Sequence, residues 1–157
     1  MRSEVRSVKQ ALIVMGDQDF RKLAAIVIAG RLSAQRPHEL LALSLQRARL
    51  CELLAPHLHH DPGEQYLLGL FSLMDAILEI PMTAVLDMIP FRAPVCSALL
   101  GGSNFTAIPL VAARSFETGD WSSVTESREL LSLGSDRVNR MCFEATRWAE
   151  EALRSDD

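Results

Sequence analysis

Apolar residues recur at spacings of three and four along most of this chain, and no stretch alternates convincingly as a strand would. The pattern is clearest near the end, where Val138, Met141, Cys142, Ala145, Trp148, Ala149 and Ala152 define one helical face, with Ser135 as its N-cap. At the start, Ser7 and Gly16 bracket a short helix. Asp17 caps a second, in which Phe20, Leu23, Ala24, Val27 and Ile28 leave little polar face, so it is expected to be central. Pro37 suits the first turn of a third helix. That helix turns Leu40, Leu41, Leu43, Leu45, Ala48, Leu50 and Leu54 towards neighbours and sends Arg47 and Arg49 outward.

Asp61-Pro62-Gly63 reads as a turn, because proline biases Asp61 away from the helical region and glycine permits a reversal. A fourth helix follows over roughly 64–79, and Pro81 starts another over about 82–89. Pro90 and Pro94 precede a short helix at Val95–Leu100 closed by Gly101-Gly102. Thr106 is expected to cap the helix through Ser115 and Phe116, with Pro109 in its first turn. Gly119 then ends that helix in the left-handed conformation and Asp120 caps the next. With no internal repeat and no long linker, residues 1–157 read as a single all-α domain, core 4–152, of about eight or nine helices.

Composition agrees. The chain is 48% apolar but only 6% aromatic, which calls for an aliphatic core. No apolar run reaches the 18 or so residues of a membrane span. Leu67 to Met82 comes nearest and carries Asp75 and Glu79. Met1-Arg2-Ser3-Glu4 lacks the apolar core of a signal peptide. Three widely spaced cysteines (Cys51, Cys96 and Cys142) suggest free thiols and a cytoplasmic setting. Net charge is −4, made of +4 over residues 1–60 and −8 over 61–157. The arginines of the basic part are scattered through apolar helices without aromatic platforms, which argues against nucleic-acid binding.

The chemistry turns on one phrase. Gln65-Tyr66-Leu67-Leu68-Gly69-Leu70-Phe71-Ser72-Leu73-Met74-Asp75 resembles the metal-binding helix of HD-type phosphohydrolases. In that superfamily the helix runs into a His-Asp dyad, which binds metal and activates water against a phosphate. Ser72 and Leu73 stand at the dyad positions here; serine is a poor ligand for a divalent ion and leucine is none. The four histidines, His38, His57, His59 and His60, all precede this segment. His57, His60 and Asp61 are the weak candidates for an adventitious metal site. The competing reading is a helix C-terminus carrying histidines, which suits the negative end of the dipole. No metal and no cofactor is expected.

A finer resemblance covers nearly all of residues 4–152. Val5-Arg6-Ser7-Val8-Lys9-Gln10-Ala11-Leu12-Ile13-Val14-Met15-Gly16 is similar to the opening of the HDOD domain, a degenerate relative of HD hydrolases in bacterial signalling proteins. Gly69 to Ala76, Ile80-Pro81-Met82, Val85-Leu86, Ile89-Pro90 and Ala98-Leu99-Leu100 resemble the HDOD variant that follows an EAL domain. So do Gly119-Asp120-Trp121 and Ala145-Thr146-Arg147-Trp148-Ala149. The EAL module is the cyclic di-GMP phosphodiesterase of such proteins, and this chain has no segment resembling it. The resemblance therefore implies a non-catalytic regulatory or interaction domain of cyclic di-GMP signalling, with an EAL or other signalling domain as partner. One alternative is a small-ligand or nucleotide-binding module using Arg31, Arg36, Arg47 and Arg49; a residual HD-type phosphohydrolase is the weaker one. HDOD domains ordinarily have further helices before the segment matching Val5, so an N-terminally shortened core is expected. Its face of Val8, Leu12, Ile13 and Val14 would then favour a homodimer.

Overall fold

The computed structural model describes residues 37–154. The helices expected at Ser7–Gly16 and after Asp17, and the Val8, Leu12, Ile13 and Val14 face, lie outside them. Among the described residues there are nine α-helices, two 3-10 turns and no strand, the all-α architecture that the periodicity implies. The helices are α1 (Pro37–Leu54), α2 (Pro62–Phe71), α3 (Met74–Leu78), α4 (Met82–Met88) and α5 (Ala93–Leu99). They continue with α6 (Ile108–Thr118), α7 (Ser122–Glu126), α8 (Arg128–Leu133) and α9 (Ser135–Arg154). The 3-10 turns are Ala55–Leu58 and Phe105–Ala107.

Helix α1 is the hub, packed against α2, α6 and α9. Its sequence suits that place because different sides feed different cores. Cys51 joins Leu67, Leu68, Phe71, Val85, Val95 and Leu110. Leu50 and Leu54 join Ala112, Leu130, Val138, Cys142 and Ala145. Each fully buried leucine contributes about 1.5–3 kcal/mol. Arg47 departs from its expected outward orientation: it is turned inward with 8% of its surface exposed.

Where α1 meets α2 the backbones touch. A methyl group added at Gly69 would lie 2.5 Å from the Ala48 nitrogen and from the Arg47 carbonyl. Only glycine allows this approach.

The Asp61-Pro62-Gly63 segment is a helix start rather than a reversal. Asp61 is extended (φ −72°, ψ 122°), as a residue before proline should be, and its Oδ1 accepts from the Glu64 N–H at 2.8 Å. Pro62 then fills the first turn, where no N–H is needed.

The helix expected over 64–79 is two helices, broken at Ser72-Leu73. The Ser72 hydroxyl donates to the Gly69 carbonyl at 2.7 Å, and its N–H reaches that same oxygen at 3.3 Å. A side chain competing for a backbone acceptor ends the regular ladder.

Further on, Thr106 is buried and does not cap α6, whose N-cap is Ala107 without a side-chain bond; Asn104 caps the preceding 3-10 turn, its Oδ1 accepting from the Ala107 N–H at 2.9 Å. Pro109 lies in the first turn of α6, and Gly119 closes it at φ 72°, both as expected. Asp120 is not the cap of α7 as expected: Trp121 holds the N-cap position, and Asp120, one residue earlier, accepts from the Ser122 N–H at 3.0 Å. Trp148 is half-buried, not central: it meets Tyr66 edge-on at 6.3 Å and lies 5.8 Å beneath the Arg49 guanidinium.

Candidate functional site

Ser72 belongs to a buried polar cluster that joins α1, α6 and the break between α2 and α3. The Arg47 Nε and Nη2 of α1 donate to the two carboxylate oxygens of Glu117 on α6, each at 2.6 Å. Arg47 Nη1 donates to the Ser72 Oγ at 3.1 Å, between α2 and α3. The side chains of Arg47 and Glu117 are 9% and 14% exposed. A planar fork on a carboxylate is the strong form of an ion pair, and at this depth it is weakly screened. Beside it, the Ser44 hydroxyl donates to the Leu70 carbonyl at 2.6 Å. Cys51, one turn beyond Arg47, has its thiol pushed up to about 12 by burial, which keeps it protonated and unreactive.

This arrangement fixes helices and leaves little chemistry. A guanidinium is no proton donor or acceptor at neutral pH. The Ser72 hydroxyl gives its proton to a backbone carbonyl and receives a hydrogen bond from a cation, the reverse of an activated nucleophile. Leu73 is apolar and half-buried. A divalent metal does not fit here, because the carboxylate that would join Ser72 as a ligand already faces a positive charge.

His57, His60 and Asp61 do not form a centre. His57 is exposed at the end of a 3-10 turn. His60 Nε2 lies 3.1 Å from the Phe105 carbonyl, with its ring 4.5 Å from the Phe105 ring, and burial lowers its pKa. Asp61 is engaged as the cap of α2. Among the described residues no group of three or more His, Cys, Asp or Glu is placed to hold a metal.

Two of the four arginines read as ligand contacts, Arg47 and Arg49, are also partnered. Arg49 pairs with Glu52 at 2.7 Å and Glu144 at 3.3 Å, and Arg47 is held as above. Arg31 and Arg36 lie outside the described residues. A cavity of about 270 Å³ between α7, α8 and α9 is walled by Trp121, Val124, Leu130, Leu131 and Val138. Its lining has no lysine or arginine, so it offers a phosphate no countercharge.

Glu117 was not legible as a site residue, since it ends a helix with no local motif. A signal existed for Arg47: it shares a side of α1 with the small residues Ser44, Ala48 and Cys51, the marks of close packing. A second long-range ion pair, buried on its glutamate side, passed unseen for the same reason. Glu64, with a 4% exposed side chain, accepts two hydrogen bonds from Arg92 and ties α2 to the start of α5.

Over 152 residues, 96% of the chain, the sequence is 30% identical to the cyclic di-GMP phosphodiesterase CdgJ of Vibrio cholerae. Over 154 residues it is 27% identical to the uncharacterized protein YuxH of Bacillus subtilis. The chain spans 35% of the length of the first and 37% of the second. No family model matches the chain, and no solved structure does. Among the described residues no helix is long and apolar enough to cross a membrane.

Proposed function

We propose that this chain is an HDOD-type signal-output domain of a bacterial cyclic di-GMP signalling protein, itself non-catalytic, acting by contact with an EAL or other signalling domain. The observation that carries the reading is the Arg47–Glu117–Ser72 cluster. An HD site needs a histidine inside one helix, a His-Asp dyad on the next and a later carboxylate. Here Ser72 is bonded to the Arg47 guanidinium, which is in turn held by Glu117. That fixed positive charge beside Ser72 disfavours a cation there, and it ties the chain segments together without Lewis acidity. The similarity to part of a cyclic di-GMP phosphodiesterase supports the signalling context. Nucleotide binding finds less support, because Arg47 and Arg49 are ion-paired and the cavity beside α8 is apolar.

The test combines three measurements on the purified chain. Metal content after dialysis against chelator should be far below one ion per chain. Cyclic di-GMP and a generic phosphodiester should remain intact with added Mg²⁺ or Mn²⁺. An EAL domain supplied in trans should change its rate of cyclic di-GMP turnover when the chain is added. Turnover by the chain alone that Glu117→Gln abolishes would sink the non-catalytic reading, and an EAL rate that is indifferent to the chain would sink the partner.

A further inference from the structure

Six residues of α9 (Asp136, Arg140, Phe143, Arg147, Glu150 and Arg154) follow one another at steps of four and three, and all six are exposed. At 3.6 residues per turn they stand within a stripe roughly 80° wide. The stripe lies opposite the face that Val138, Cys142, Ala145 and Ala149 bury. Phe143 is 67% exposed, with one edge held against Phe116 in a T-shaped contact at 5.7 Å.

The stripe is complementary to itself when reversed. Asp136 and Arg154, Arg140 and Glu150, and Phe143 and Arg147 are each centred on position 145. Two copies of α9 laid antiparallel about a two-fold axis at that level would bring each acid opposite a base of the other copy. Each phenyl ring would meet the guanidinium of Arg147. Symmetry makes every match occur twice, giving four ion pairs and two cation–π contacts. Two of these arginines also pair along their own helix, Arg147 with Glu151 at 3.9 Å and Arg154 with Glu150 at 4.0 Å. Such long, exposed pairs hold their partners weakly and exchange readily.

We propose that this stripe is a docking surface for a second copy of the chain, with the two α9 helices antiparallel across a two-fold axis. The shallow depression lined by Arg140, Phe143, Glu144, Thr146, Arg147 and Glu150 receives the partner helix. Contact along a single helix pair of about 27 Å lies at the small end of specific interfaces. The dimer is therefore weak, with a Kd on the order of tens of micromolar at low salt, and it loosens as salt screens the rim charges. The surface stands independently of the signalling role.

Charge reversal tests it on the full chain. Sedimentation velocity at about 100 µM and low salt, above the expected Kd, should show wild-type dimer. Arg140→Glu sets two glutamates opposite each other and should be monomeric. Glu150→Arg sets two arginines opposite each other and should be monomeric too. Mixing the two variants restores opposite charges at every match, so a one-to-one mixture should form heterodimer, and the double variant should dimerise alone. Circular dichroism checks folding, and Phe143→Ser supplies a second disruption should a reversal misfold. A wild-type monomer at that concentration, a dimer that both variants retain, or variants that stay monomeric when mixed would each overturn the proposal.

Discussion

The buried pair between Arg47 and Glu117 predicts an asymmetric double-mutant cycle. Glu117→Ala leaves the Arg47 guanidinium 9% exposed, with Ser72 as its remaining partner in the cluster. Stranding a buried charge typically costs 3–5 kcal/mol, and the slight exposure sets the expectation at about 3 kcal/mol. Arg47→Met strands Glu117 instead, but that side chain is 14% exposed at the end of α6 and can turn to water, so about 2 kcal/mol is expected. Removing both charges, Arg47→Met with Glu117→Ala, leaves no buried charge unpaired. It should cost about 1–2 kcal/mol in all, giving a coupling of about 3 kcal/mol. Urea denaturation followed by far-UV circular dichroism measures all four proteins. At 2–4 °C per kcal/mol for a domain of this size, Glu117→Ala should also melt about 6–12 °C lower. A Glu117→Ala loss below about 1 kcal/mol, or a double variant as unstable as the two singles added together, would refute the view that this pair is desolvated and mutually dependent.

Gly69→Ala should be worse than most core truncations. Its methyl group meets backbone of α1 at 2.5 Å, so the helices must separate, costing about 3 kcal/mol or more, read as lost soluble yield or an early melt. His60 has its pKa held below the ordinary 6.5 by burial, so its neutral form is favoured in the folded state. The unfolded chain then takes up the proton first, and stability should fall as pH drops below about 6.5. His60→Gln should flatten that slope, and an imidazole titrating at or above 6.5 by NMR would contradict it. Trp148→Ala should cost about 2 kcal/mol, less than a fully buried tryptophan, because the ring rests on Tyr66 and under Arg49 at the edge of the core. A loss of 4 kcal/mol or more in urea melts would place the ring deeper than described.

Local signals determined much of this molecule. Helix type followed from the three-and-four spacing, most securely in α9, where Val138, Cys142, Ala145 and Ala149 are buried as the periodicity requires. Gly119 ends α6 with positive φ because only a residue lacking Cβ takes that conformation without strain. That Leu73 ligates no metal was equally plain, since its side chain has no donor atom whatever surrounds it.

Tertiary structure decided the rest. Arg47 looks like a solvent-facing residue on an apolar helix until Glu117, 70 positions away, supplies the carboxylate that makes its burial tolerable. The break at Ser72 depends on a hydroxyl choosing the Gly69 carbonyl, and that choice was settled by Arg47 on the other side. Trp148 belongs to the apolar face by spacing, yet its depth is set by what α1 and α2 place over it. Spacing along a helix states which residues share a side. How deeply that side is buried, and which charges meet there, depends on chain segments far apart in sequence.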